Sequence, residues 1–243
     1  PSQLTLSLAS SHHSLWGHRL WNASLRLAEL IDEHEIDVRG RTVLELGAGA
    51  GLPGLMCALN GARHVVVSDY ATPRDTVLVD VIEANIDRLR DHLPPSAVAA
   101  IGYIWGQPVA PLLAAIGDEA ATAAAGACVD SGNVRCRSSG KEGGGFDLIL
   151  MADLIFNRSE HERLLRTCDD CLAPDGTAWV AFSHHDPSKA AHDMRFFELA
   201  TAPGTGAFEA TLDHQVQMTD IFVENDGLDG ARGVVYVYRL VRR

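Results

Sequence analysis

Long apolar runs are absent from this sequence. No stretch approaches the roughly 20 consecutive apolar residues of a membrane-spanning helix, so a helical membrane protein is not expected. Concentrated positive charge is scarce too. Lys and Arg number 20 against 32 Asp and Glu, for a net charge of −12, and the basic cluster that stands out is the terminal YRLVRR. Binding a phosphate backbone needs concentrated cations. A nucleic-acid partner is therefore disfavoured, and a basic protein or a neutral small molecule is favoured. Cysteine is sparse and odd in number, five in 243 residues. That excludes a disulfide framework and fits a reducing compartment, so a cytoplasmic location is expected. Cys128 and Cys136 lack a second ligand pair, and the Cys168–Cys171 pair of CDDC lies on a predicted helix. Neither pair has the spacing partners of a zinc site, and no metal is expected.

What is present is a hydrophobic fraction of 47%, enough for a sizeable core. Residues 1–14 are Ser-rich without a clear period and are expected to form an N-terminal arm before a domain spanning 15–243. Residues 20–31 carry apolar side chains at helical spacing. Continuous apolar strands are expected at RTVLELG, HVVVSDY, AVAAIGYIW, FDLILMADLIF and TAWVAFSHH. Helices are expected after the first glycine turn, over 76–91 with Val77, Val81, Ala84 and Leu89 on one side, and within RLLRTCDDCLAPDG. ATLDHQVQM and GVVYVYRLV read as a closing pair of strands. The glycine-rich stretch 117–145 is expected to be a surface insertion, since structureless loops beyond about 15 residues rarely sit inside a domain. Strands alternating with helices imply an α/β, Rossmann-like, doubly wound and mostly parallel sheet, seven-stranded with an antiparallel C-terminal strand.

In such a sheet the ligand sits at the carboxyl ends of the strands near the switch point. The turn ELGAGAGLPG, Glu45 to Gly54, lies there. Gly49, Gly51 and Gly54 spell the dinucleotide pattern G-x-G-x-x-G. Asp69, at the end of the second strand, can bind a ribose. To that point NAD and S-adenosylmethionine fit equally. Glu45 and the earlier Gly47 favour S-adenosylmethionine, because a carboxylate repels a diphosphate and attracts a sulfonium or ammonium group. On that reading the embedded dinucleotide pattern is a coincidence.

The blocks SLWGHRLWNAS, RTVLELGAGAGLPGLMCALNGA, VVVSDY, GYIWG, FDLILMADLIFNRSEH, LLRTCDDCLAPDG and FSHH occur in this order. Together they resemble the fungal protein N-terminal and lysine methyltransferases that act on translation elongation factor 1-alpha, class I enzymes that use S-adenosylmethionine. The resemblance covers 15–243 outside the insertion. It implies that Trp21 closes over the cofactor, that Gly47, Ala48 and Gly49 wrap its methionine part, and that Asp69, with Tyr70 beside it, binds the ribose. It places Trp105 against the adenine and Ala152 against the cofactor through its backbone. Asp153, Phe156 and Asn157 correspond to the motif at the substrate mouth. Asp153 would then orient the acceptor amine, with Phe156 as an aromatic wall. The implied enzyme is a cytoplasmic monomer with a protein substrate. The competing enzyme reading is a small-molecule N-methyltransferase with a nicotinamide-like acceptor. One departure stands out: Asp186-Pro187 follows His184-His185 where the family has Arg-Pro. Adjacent histidines on a strand point to opposite faces, so joint metal ligation is not expected, and one of the two is expected to line the mouth.

Overall fold

Five successive buried side chains in Thr42–Leu46 leave no face for solvent, which only a strand covered on both sides tolerates. A computed structural model of the chain describes residues 4–9, 17, 19–93, 97–116, 144–219, 230 and 233–243. Its strands are β1 (Thr42–Leu46), β2 (His64–Asp69), β3 (Val98–Gly102), β4 (Phe146–Ala152), β5 (Leu172–Phe182), β6 (Phe208–Gln217) and β7 (Val234–Arg242). They form one sheet in the order β3-β2-β1-β4-β5-β7-β6. β1 pairs in parallel with β2 and β4, β2 with β3, and β4 with β5. β7 runs antiparallel between β5 and β6. The expected seven-stranded sheet with its antiparallel last strand is the one observed.

The helices are α1 (Asn22–Asp32), α2 (Leu52–Leu59), α3 (Val77–Arg88), α4 (Ala110–Ala114), α5 (His161–Cys171) and α6 (Ala190–Ala200). Alternate strand residues face opposite layers. Val43, Val65 and Leu148 meet α1, α2 and α3 through Leu27, Cys57 and Ile82. Leu44, Val66 and Ile149 share the other core with Leu164, Cys168 and Cys171 of α5 and Phe196 of α6. The two cysteines of CDDC are thus packing residues, as expected. The chain winds out through β3 and returns beside β1 as β4, so the switch point lies at the carboxyl ends of β1 and β4.

Four expectations need correction. α3 buries Leu78, Ile82 and Asn85, one residue on from the expected Val77, Val81 and Ala84, while Val77 is 42% exposed; Leu89, at the end of the helix, is buried as expected. The apolar pattern misled because the true stripe contains a polar residue. Asn85 donates to the carbonyl of Ala50 at 2.9 Å and exchanges two hydrogen bonds with the backbone of Ser7, so its burial is satisfied. β4 stops at Ala152, because Asp153 takes a left-handed angle of φ +58°. β5 begins earlier than expected, at Leu172, directly after α5. α4 and α6 were not anticipated at all. Residues 4–9 of the expected arm lie against α3 through Ser7 and Arg88. Most of the insertion, with Cys128 and Cys136, lies outside the described residues.

Candidate functional site

The loop after β1 turns on three left-handed glycines, Gly47 (φ +59°), Gly49 (φ +56°) and Gly51 (φ +78°), angles at which a Cβ is strained. A Cβ at Gly47 would also stand 2.5 Å from Leu154 Cδ2 and 3.0 Å from Trp105 Cζ2. Asp69, at the end of β2, anchors this loop. Its Oδ2 accepts from Gly49 N at 2.6 Å and its Oδ1 from Tyr70 N at 2.6 Å. Backbone N–H groups held by a carboxylate fix the loop without filling the space above it.

Glu45 requires a correction. It does not line the cavity but lies wholly buried beneath the loop, where its Oε2 accepts from Gly54 N at 2.7 Å, in the first turn of α2. Burial pushes its carboxyl up to about 8; the Gly54 N–H pulls the other way and Asp69 adds to the rise. Glu45 is therefore mostly protonated at neutral pH, so it exerts little of the charge-based choice between cofactors expected of it. The same contact explains Gly54. A Cβ there would meet Glu45 Oε2 at 2.6 Å and Val67 at 2.7 Å. The third glycine of the embedded G-x-G-x-x-G is thus explained by packing against Glu45 and Val67, with no diphosphate needed to account for it.

The facing wall comes from the end of β4. Asp153 is 3% exposed. Its N–H donates to Ala181 O at 2.8 Å, which splices the loop onto β5. Its Oδ1 accepts from Ser183 N at 3.4 Å and lies 3.0 Å from His185 Nε2. Its Oδ2 is buried without a hydrogen-bond partner among the described residues. A buried carboxylate oxygen in that state costs stability unless a ligand or water satisfies it. Beyond it, His161 Nε2 lies 2.6 Å from Ile155 O, which holds the loop that carries Phe156. Burial pushes the His161 imidazole below its ordinary value.

The cavity between these walls measures about 430 Å³. Its floor is Gly47, Ala48 and Gly49; Asp69 and Tyr70 flank it, and Trp21, at the N-cap of α1, stands over it. Trp105, Tyr103 and Ile104 close the β3 side, while Ala152, Asp153, Phe156 and Asn157 form the mouth. Every residue expected in the site lines this cavity except Glu45. Arg19, Ser24, Glu160 and Arg163, which were not expected there, also line it. These polar residues belong to helix ends and loops, where no periodicity marks them. Neither of the two histidines lines the cavity itself: His185 stacks behind Trp21 and Phe156, which do, whereas His184 pairs with Asp193 at 2.9 Å. Asp186, which stands where the family has Arg, is paired with Lys189 at 2.8 Å. Hydrogen bonding to Lys189, then to Ser188, holds its carboxyl down at about 2, so the local charge is largely balanced. No group of three metal-ligating side chains occurs among the described residues, and no helix among them is long and apolar enough to cross a membrane.

The profile of a family described as lysine methyltransferase matches residues 2–117. Over nearly its whole length the chain is similar to two fungal proteins. One, from Schizosaccharomyces pombe, is a protein N-terminal and lysine N-methyltransferase efm7. It is 34% identical over 242 residues, covering 99% of this chain and 83% of the relative. The other, from Eremothecium gossypii, is a protein N-terminal and lysine N-methyltransferase EFM7. It is 39% identical over 243 residues, covering 98% and 80%. Among solved structures the chain is similar to a putative RNA methyltransferase from Pyrococcus horikoshii, with a TM-score of 0.55 at 14% identity, covering 98% of this chain and 93% of that one. At that identity the likeness concerns the fold alone.

Proposed function

The chain belongs to the protein N-terminal and lysine N-methyltransferases, and from that premise we propose that it uses S-adenosylmethionine to methylate the N-terminal α-amine, and an adjacent lysine, of translation elongation factor 1-alpha. The observation that carries this reading is Asp153: a buried carboxylate with one unpartnered oxygen, at the mouth of a cavity floored by glycines.

The residues present fit the cofactor. Gly47 and Gly49 leave the floor bare of side chains, in the manner of a cradle for a ligand that must lie against backbone. Asp69 presents a carboxylate to a ribose, Trp105 and Tyr103 offer flat apolar surface to a base, and Trp21, Tyr70 and Ala152 complete the enclosure. S-adenosylmethionine, when bound, supplies an activated methyl group on a positively charged sulfur.

The chain's own contribution is to position the acceptor. Orientation alone is worth roughly 7–11 kcal/mol in favourable cases. Asp153 Oδ2 accepts a hydrogen bond from the incoming amine and fixes its direction. Phe156 walls the entrance and Asn157 extends it. The nitrogen must arrive neutral. An α-amine with a pKa near 8 is about one-tenth neutral at pH 7, whereas a lysine near 10.4 is neutral in less than about one molecule in a thousand. The α-amine is thus the easier acceptor, and the lysine needs desolvation against Phe156 and Trp21. Exhaustive methylation ends in a permanently cationic amine, and an aromatic wall holds such a cation. The net charge of −12 suits a basic substrate. The cysteines number five, an odd count that favours a reducing compartment, which supports a cytoplasmic location for what we take to be a monomer.

The test is release of S-adenosylhomocysteine from S-adenosylmethionine, with elongation factor 1-alpha and nicotinamide as parallel acceptors. Release with the protein and not with nicotinamide is expected. Release with nicotinamide alone would replace this reading with a small-molecule enzyme.

A further inference from the structure

Trp21 and Phe156 approach the mouth from different elements, α1 and the loop after β4. Between them lies the ring of His185, three residues past the end of β5. Its centroid is 4.4 Å from that of Trp21 with 10° between planes, and 4.9 Å from that of Phe156 with 20°. At the ring edge, Nε2 lies 3.0 Å from Asp153 Oδ1. Imidazole suits this place for two reasons at once. It offers flat faces to two aromatic neighbours, and it carries an N–H in the ring plane that a carboxylate can accept. Phenylalanine would supply only the faces, and glutamine only the donor.

The consequence falls on Asp153. With Oδ1 taken by His185 and by the Ser183 N–H, the carboxyl group cannot rotate without losing two hydrogen bonds. The oxygen left over is Oδ2, buried and unpartnered. We propose that His185 is the positioning residue of this site: it pins Asp153 Oδ1 so that Oδ2 is held for the acceptor N–H, and it sets the spacing of Trp21 and Phe156 at the mouth. His184 does not share the role, because its ring is committed to Asp193 on the other side. This inference rests on the reading of the mouth as an amine site.

The two functions of the ring separate by substitution. His185→Phe keeps the stack and removes the donor, and His185→Gln keeps a donor and removes the stack. With elongation factor 1-alpha as acceptor, His185→Phe should lower kcat about 10–100-fold while the affinity for S-adenosylhomocysteine changes less than about threefold. His185→Gln should recover most of that kcat and, having lost the stack, raise KM for the protein acceptor instead. In nitrogen-15 NMR of the unmodified protein, Nε2 of His185 should carry a proton whose signal shifts in Asp153→Asn. Normal kcat in His185→Phe overturns the proposal. So does an equal loss of kcat and S-adenosylhomocysteine affinity in both variants, which would mark a structural role. If the unsubstituted protein turns over no acceptor, the functional reading fails separately. The NMR arm still decides this one: a proton on Nε2 coupled to Asp153 upholds it, and a bare Nε2 overturns it.

Discussion

Asp153 combines a left-handed backbone angle, near-complete burial and an unpartnered oxygen, and each of these costs stability. Asp and Asn are the side chains that tolerate the left-handed region best after glycine, so Asp153→Asn preserves the backbone and removes the charge. It should lower kcat about 100-fold while leaving S-adenosylhomocysteine affinity within about threefold, as read by titration and single-turnover kinetics. Gly47→Ala should do the reverse. Its φ of +59° and the 2.5 Å approach of Leu154 force the floor to move, so cofactor affinity should fall at least about tenfold. Glu45 acts on stability instead. Its folded carboxyl titrates at about 8 against an ordinary 4.5. Between those values the folded protein keeps a proton that the unfolded chain has released. Stability from this group is therefore full below the lower value and declines as pH rises to the upper one, by at most about 1.4 kcal/mol per unit. Glu45→Gln should flatten that slope in urea unfolding, and an unchanged slope would show that Glu45 ionises in the fold.

At the scale of elements, one buried polar residue holds the site together. Asp193 on α6 binds Arg158, which follows Asn157 in the mouth loop, at 2.7 Å, and His184 at 2.9 Å. It ties the exits of β4 and β5 to one helix. Asp193→Ala removes the buried carboxylate that Arg158, 31% exposed, and His184 share and should lower the midpoint of thermal unfolding, with kcat falling more than cofactor affinity. Such pairings also set the limit of what the sequence discloses. The strands were legible because apolar residues on both faces leave a continuous run, as in TVLEL and HVVVSD. The glycine loop and Asp69 were legible because their spacing is short and local. α6 was not, since AAHDMRFFELA buries Asp193 beside Phe196 and Phe197 and so carries no clean apolar stripe. α3 was placed, but its face was misjudged by one residue because Asn85 is buried. Glu45 was assigned to the ligand because charge at a loop suggests contact, whereas the fold turns it inward to cap α2. The pairing of His185 with Asp153 joins positions 32 apart in sequence, and no local pattern reports that.

At the scale of the molecule, the parallel sheet carries the glycine loop and the mouth on adjacent strands, β1 and β4, while the antiparallel β7 lies beyond β5 and β6 forms the far edge. The glycine floor and the wall around Phe156 are thus neighbours by topology, and Asp153 stands at their junction. The acidic surface enters here too. With a net charge of −12, association with a basic protein substrate should weaken with salt as the screening length shrinks from about 10 Å at 0.1 M toward 3 Å at 1 M. KM for the protein acceptor should rise over that range while KM for S-adenosylmethionine changes far less. The central claim is that this site methylates the N-terminal amine of elongation factor 1-alpha, and peptide mass spectrometry of that protein after incubation with the enzyme and S-adenosylmethionine tests it most directly. Mass gains in steps of one methyl on the N-terminal peptide, lost in Asp153→Asn, are predicted. An unmodified N-terminal peptide alongside measurable cofactor binding would contradict it.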